Sequence, residues 1–285
     1  MATHHSIIGA HLSVAHGFFQ ALLDAQSIGL SAVQIFTHSN RQWHIQKLAK
    51  EDIEQFKKIQ KETGIICVVH ASYLLNLGSP TKELRDKSLS ALMAELQHCH
   101  ELEIPFLIIH PGSATDGDTQ TSIKYLAEAL SYALKNSIGS TKILIETMAG
   151  QGTSLGSTLE ELAAIRELVT EKRRVGFCVD TCHLFAAGYS LSSEQDYKDF
   201  WRQADKTLSI SHIKVIHVND SQKKQGSRID RHENIGKGEI GLTTFTHIMN
   251  DHRFISVPKI LETPNTTLDE YQKNKEILEG LISKK

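Results

Sequence analysis

The sequence lacks most features that would assign it to a special class. No stretch approaches 18 consecutive apolar residues, so no membrane-spanning helix is expected. With five prolines in 285 residues and no low-complexity run, nothing reads as an interdomain linker. The opening MATHHSIIGAH has no basic region followed by an apolar one, so no signal peptide is expected. The protein is therefore read as cytoplasmic, with His4 and His5 on a mobile end. The four cysteines form no C-x-x-C pair. Cys67 and Cys178 fall inside apolar strands, which suits buried, reduced thiols. The net charge of −2 gives no general basic surface for a polyanion.

What the chain does have is histidine, sixteen in all, and their placement is regular. Eight short apolar segments each finish in a polar residue suited to chemistry. Ile7–Ala10 ends in His11. Ala32–Phe36 ends in Thr37 and His38, followed by Asn40 and Arg41. Ile65–Val69 ends in His70, Phe106–Ile109 in His110 and Ile143–Ile145 in Glu146. Val175–Val179 leads to Asp180 with His183 close behind, Val215–Ile216 to His217, and Lys259–Leu261 to Glu262. Helical patterns lie between them at 18–28, 51–63, 81–102, 122–136, 158–169, 193–208, 242–249 and 268–282. Ser157-x-x-Glu160 reads as a capping box for the fifth. Eight strand–helix alternations favour a closed parallel barrel over an open sheet. The fold expected for residues 1–285 is thus one α/β domain, a (β/α)8 TIM barrel with its active site at the C-terminal rim of the strands.

Such a rim would gather residues that are remote in the chain. His70 and His110, taken singly, read equally as ligands or as hydrogen-bonded rim histidines. Glu146 ends a buried strand, where an unpaired carboxylate is costly, so a metal or another cation must compensate it. Asp180 and His183 can share a site or serve two adjacent ones, and Cys182 between them can pack behind it. The segment Val215–Gly241 begins as a strand and continues as a polar, glycine-rich loop with no core to bury. It carries Asp230 and His232, and an Asp-x-His pair with the rim histidines suits a divalent metal. Spacing alone leaves two or three ions open. Four acids against three divalent cations would leave the rim positive and attractive to phosphate despite the overall acidity.

At this point whole segments become familiar. GAHLSV at Gly9, QIFTHSNRQW at Gln34, HASYLLNLGSP at His70 and HPGS at His110 resemble the endonuclease IV family. So do ETMAGQG at Glu146, VDTCHLFAAGY at Val179, HVNDS at His217, GSRIDRHENIGKGEIG at Gly226 and LETP at Leu261. The resemblance runs in order along nearly the whole chain. It implies a zinc-dependent apurinic/apyrimidinic endonuclease of DNA base excision repair, a hydrolase acting on damaged double-stranded DNA. By resemblance, His70, His110 and Glu146 hold one zinc; Glu146, Asp180, His217 and Glu262 a second; His183, Asp230 and His232 a third. Manganese is an alternative at some positions. Cleavage would fall 5′ to the abasic site and leave a 3′-hydroxyl and a 5′-deoxyribose phosphate. It would proceed by trinuclear zinc-assisted hydrolysis with no side-chain nucleophile. Trimming of 3′-phosphate and 3′-phosphoglycolate ends is also implied.

Arg41, Tyr73 and Leu74 match family positions that enter the base stack, although Tyr73-Leu74 alone reads as a loop-packing pair. Arg228, Arg231 and Lys237 are candidate phosphate contacts or plain solvated charge, and Trp43 is read as a packing residue. One departure is His16, where the family commonly has glycine. A monomer is expected. Two rival readings stand beside this one. The first is a metal-dependent sugar isomerase or epimerase on the same barrel, which needs fewer histidines and has no use for the Ser72–Leu75 wedge. The second is a non-enzymatic DNA-binding or metal-storage protein, for which a basic face would serve better.

Overall fold

Short β-branched runs alternating with amphipathic segments close into a barrel in the computed structural model, which describes residues 6–264 and 266–283. In chain order the first half contains β1 (Ile8–His11), α1 (Phe18–Ser27), β2 (Ala32–Ile35), α2 (Lys50–Thr63), β3 (Ile66–His70), α3 (Lys82–Glu101), β4 (Phe106–Ile109) and α4 (Thr119–Asn136). Then come β5 (Lys142–Glu146), α5 (Leu159–Leu168), β6 (Val175–Asp180), α6 (Thr181–Ala187), α7 (Glu194–Leu208) and β7 (Ile213–His217). The chain ends with β8 (Asp220–Ser221), β9 (His232–Glu233), α8 (Leu242–Asn250), β10 (Lys259–Leu261) and α9 (Leu268–Gly280). Strands β1 to β7 and β10 pair in parallel around the closed barrel, and β10 returns to β1. The expected TIM barrel is present. β8 and β9 form a separate antiparallel ribbon.

Several local expectations shift. β3, β5, β6 and β7 do end on His70, Glu146, Asp180 and His217, as the sequence expects, but other features move. The cap of α5 is Thr158, whose side chain accepts from the Glu161 N–H, one residue beyond the predicted Ser157. The same spacing recurs at 158–161, and Glu161 instead turns back to accept from the Gly156 and Ser157 N–H groups. α6, directly after β6, was not anticipated. His4 and His5 lie outside the described residues. Among those described, no helix is long and apolar enough to cross a membrane.

The barrel has two apolar layers. Inside it, Ala32, Val68, Ile108, Leu144, Cys178, Val215 and Ile260 form a ring, one from each of seven strands. The eighth strand contributes Gly9, where an added Cβ would lie 2.6 Å from the Ala32 carbonyl oxygen and 2.7 Å from Ile260. The outward-facing strand residues pack under the helices in the larger core. Cys67 and Cys178 are buried and free of disulfides, and burial pushes the Cys178 thiol up to about 12.

Candidate metal centre

Strand side chains alternate with a period of two, so the residue two steps beyond each member of the inner ring faces the same interior. That step reaches His11, Gln34, His70, His110, Glu146, Asp180, His217 and Glu262. The apolar plug is therefore roofed by an all-polar ring, and six of the nine candidate ligands belong to it. His183 reaches the same mouth from α6. Asp180 closes β6 and caps α6 by accepting from the His183 N–H at 2.8 Å, which fixes that helix start. Asp230 and His232 come from the long excursion after β7.

That excursion is not the unanchored polar loop its composition suggests. Asp220 and Ser221 are fully buried. The Asp220 carboxylate accepts from the backbone N–H groups of Gly236, Gly238 and Ile240, each at 3.0 Å. The Gly226 and Arg228 N–H groups donate to the Phe185 and Ala186 carbonyls at the end of α6. Arg228 is held at φ 54°, a left-handed conformation that costs a non-glycine residue about 1–3 kcal/mol. A buried carboxylate thus does for this loop what an apolar core does elsewhere. A Cβ on Gly238 would lie 2.4 Å from the Ser221 carbonyl oxygen and 2.5 Å from Asp220 Oδ1. Gly238→Ala is therefore expected to destabilise the protein by about 1–3 kcal/mol in denaturant unfolding. An unchanged midpoint would show that the loop is not packed this way.

The nine candidates meet as three groups within which ligand atoms lie no more than 4.8 Å apart: His70, His110 and Glu146; Glu146, Asp180, His217 and Glu262; and His183, Asp230 and His232. Glu146 belongs to two of them. Its Oε2 lies 3.1 Å from His70 Nε2 and 3.4 Å from His110 Nε2, and its Oε1 lies 3.0 Å from His217 Nδ1. Asp230 stands between two imidazoles, 3.2 Å from both His183 Nε2 and His232 Nε2. Among the described residues, neither of these buried nitrogens has a hydrogen-bond partner of good geometry. Donors at about 2.0–2.1 Å around a tetrahedral zinc sit roughly 3.3 Å from one another, so these separations fit a shared divalent ion. Cys182 also approaches Asp180 and His232, and burial pushes its thiol up to about 12.

Ring orientations agree. His70, His183 and His232 each turn Nδ1 to a backbone carbonyl, of Ala71 at 2.7 Å, Thr147 at 2.7 Å and Glu262 at 2.9 Å. Their Nε2 atoms are left to face the site, as oriented metal-ligating histidines do. Burial opposes charge at Glu146, His183, His217 and His232, yet opposite charges outweigh it. The imidazoles, His217 foremost, hold the Glu146 carboxyl well below the usual carboxylate range. Burial lowers His232, but Asp180 and Asp230 more than offset it and push the ring up to about 9. His183 and His217 are raised in the same way.

The candidate DNA contacts surround this mouth. Tyr73 is 53 % exposed, with its ring centroid 5.3 Å from those of His70 and His110 and 5.5 Å from that of Phe36. The structure favours display over the packing role that Tyr73 suggests in isolation. Leu74 beside it is half-buried. The exposed Arg41 lies on a loop tied to that segment, because Ser72 Oγ donates to the Asn40 carbonyl. Arg228, Arg231 and Lys237 are exposed on the excursion that carries Asp230 and His232. Trp43, read as a packing residue, is 38 % exposed and lines an open groove against α3. His16 is exposed ahead of α1.

Sequence reasoning missed Gln34. The segment AVQIF reads as one apolar strand ending at Thr37, yet the barrel places Gln34 in the polar ring, fully buried. A lone amide inside an otherwise apolar run was the available signal. Asp220 was also missed, because only its folded partners distinguish it from loop acids.

A family model described as a xylose isomerase-like TIM barrel matches residues 22–282. The chain is 41 % identical over 277 residues to "Probable endonuclease 4" of Chloroflexus aurantiacus, covering 96 % of this chain and 97 % of that one. It is 40 % identical over 283 residues to "Probable endonuclease 4" of Geotalea daltonii, covering 98 % and 99 %. The crystal structure of endonuclease IV from Thermus thermophilus matches with a TM-score of 0.85 at 33 % identity, covering 96 % and 98 %. A D-tagatose 3-epimerase-like protein, at a TM-score of 0.71 and 19 % identity, shares the fold alone. The chain belongs to the endonuclease IV family, and it is a nuclease built on the xylose isomerase-like TIM barrel.

Proposed function

We propose that this nuclease serves DNA base excision repair by cutting the backbone 5′ to apurinic/apyrimidinic sites, leaving a 3′-hydroxyl and a 5′-deoxyribose phosphate. The observation that carries the reading is Glu146, buried and turning one oxygen to His70 and His110 and the other to His217. A carboxylate so placed suits a bridge between two cations. His70, His110 and Glu146 would hold one zinc, Glu146, Asp180, His217 and Glu262 a second, and His183, Asp230 and His232 a third, with manganese an alternative at some positions. When bound, such ions supply Lewis acidity and activate water near neutral pH. Every histidine and acid of the three groups is committed to that set, so none is free to serve as a general base.

The remaining residues select the substrate. Arg41, Tyr73 and Leu74 enter the duplex at the lesion, where a missing base makes unstacking cheapest. Arg228, Arg231 and Lys237 contact phosphates and set the register of the strand. The same mouth would remove 3′-phosphate and 3′-phosphoglycolate, which present a phosphoester without requiring a base to be read. A duplex carrying one tetrahydrofuran abasic analogue tests the reading. The expected product is a nick on the 5′ side of the analogue that depends on bound metal. An intact duplex with turnover of a ketose would instead place the chain with the sugar epimerases that share its barrel.

Tyr73→Ala separates recognition from chemistry. Loss of one aromatic stacking contact costs about 1–3 kcal/mol, so affinity for abasic duplex should fall roughly 5- to 150-fold. Hydrolysis of a small aryl phosphodiester should stay near the parent rate. Equal losses on both substrates would mean that Tyr73 supports packing.

A further inference from the structure

We propose that Gln34 is a positioning residue that decides which nitrogen of His217 is presented to the metal site and holds Glu262 beside it. The inference rests on the metal-site reading above and deepens it. Gln34 sits in the polar ring on β2, and its amide makes three contacts. Its Oε1 lies 2.8 Å from His217 Nε2, and its Nε2 lies 2.6 Å from Glu262 Oε1 and 2.8 Å from His11 Nδ1. A carbonyl oxygen can only accept, so His217 must carry hydrogen on Nε2. Its Nδ1 faces the acids, with Glu146 Oε1 at 3.0 Å and Glu262 Oε2 at 3.1 Å, and is the nitrogen whose proton a bound ion would displace. The two amide hydrogens account for Glu262 and His11, which makes His11 Nδ1 an acceptor. The opposite amide orientation would set an oxygen against the Glu262 carboxylate, so the network admits one assignment.

The contrast with the neighbouring ligands gives the proposal its content. His70, His183 and His232 are oriented by backbone carbonyls, which no substitution removes. His217 depends on a side chain 183 positions away in the sequence. The two nitrogen choices therefore divide the ligands, with His217 using Nδ1 and the other four, His70, His110, His183 and His232, using Nε2. Replacing Gln34 would release His217 and Glu262 together. Both belong to one of the three groups, so the damage should fall on one ion.

Two measurements test this. Nitrogen-15 correlation spectra of histidine-labelled, zinc-loaded parent protein should show His217 protonated on Nε2 and His70, His183 and His232 protonated on Nδ1. A His217 ring protonated on Nδ1 and not on Nε2 overturns the proposal. Gln34→Leu, which keeps the volume and removes the hydrogen bonds, should lower affinity for one zinc about 10- to 100-fold. After equal chelator challenge it should hold one zinc fewer per chain than the parent. Parent-like zinc retention in folded Gln34→Leu overturns the proposal. If the variant does not fold, the tautomer of the parent protein decides alone. A parent protein that binds no zinc, yet keeps His217 protonated on Nε2 toward Gln34, would refute the metal reading and leave the orienting role of Gln34 standing.

Discussion

Glu146→Gln is expected to bind abasic duplex near the parent affinity while cleavage falls on the order of 10³-fold, equivalent to about 4 kcal/mol. The substitution is nearly isosteric, so packing in the buried ring is preserved. What changes is the number of acceptor oxygens. Glu146 offers Oε2 to His70 and His110 and Oε1 to His217, whereas glutamine offers one oxygen and replaces the other with a donor. The amide can serve one group but not both, and a negative charge is lost among several imidazoles. Breaking a buried charge set by removing one partner typically costs about 3–5 kcal/mol. Nicking of the tetrahydrofuran duplex, read beside gel-shift affinity and zinc content, checks the result. Cleavage within tenfold of the parent would remove Glu146 from the bridging role.

Removing the metal should abolish nicking, and added zinc should restore it, with a pH dependence of definite sign. In the metal-free site His232 is pushed up to about 9, against an ordinary imidazole value of 6.5. At neutral pH it holds a proton that an incoming metal must displace. His183 and His217 are raised likewise, so binding releases protons and affinity climbs with pH between 6.5 and about 9. Calorimetry in two buffers of different ionisation enthalpy would report that release. Uptake of protons, or affinity that falls across this range, would contradict the site as drawn. The same raised values give a second sign. For His232, the ion-pairing stability of the metal-free fold is fully present below 6.5 and is lost as pH rises through about 9. The metal-free protein should therefore melt lower above about pH 9 than at pH 6.5.

The barrel was legible because the local signals were strong. Eight apolar runs, each closed by a histidine or an acid or leading into a polar rim loop, allow few topologies. The positions at which His70, Glu146, Asp180 and His217 end their strands follow from the chain itself. Elsewhere the local signal misled. DTCHLFAAG carries no expected helical pattern, yet Asp180 starts α6 within it by capping the His183 N–H. The excursion after β7 reads as solvated, because nothing near Asp220 in sequence shows that three backbone N–H groups sixteen to twenty residues on will converge on it. Gln34 was read as strand interior for the same reason.

The residue types, their order and the side of each strand they occupy were determined by the sequence alone, because side-chain direction alternates along a strand whatever the rest of the molecule does. Which carboxylate oxygen meets which imidazole was decided only by the tertiary structure. Gln34 and Glu262 stand 228 positions apart and come within 2.6 Å because the barrel closes β1 against both β2 and β10. Closure sets the register between strands, and register, which no single segment encodes, fixes the grouping of ligands and the face that each histidine presents.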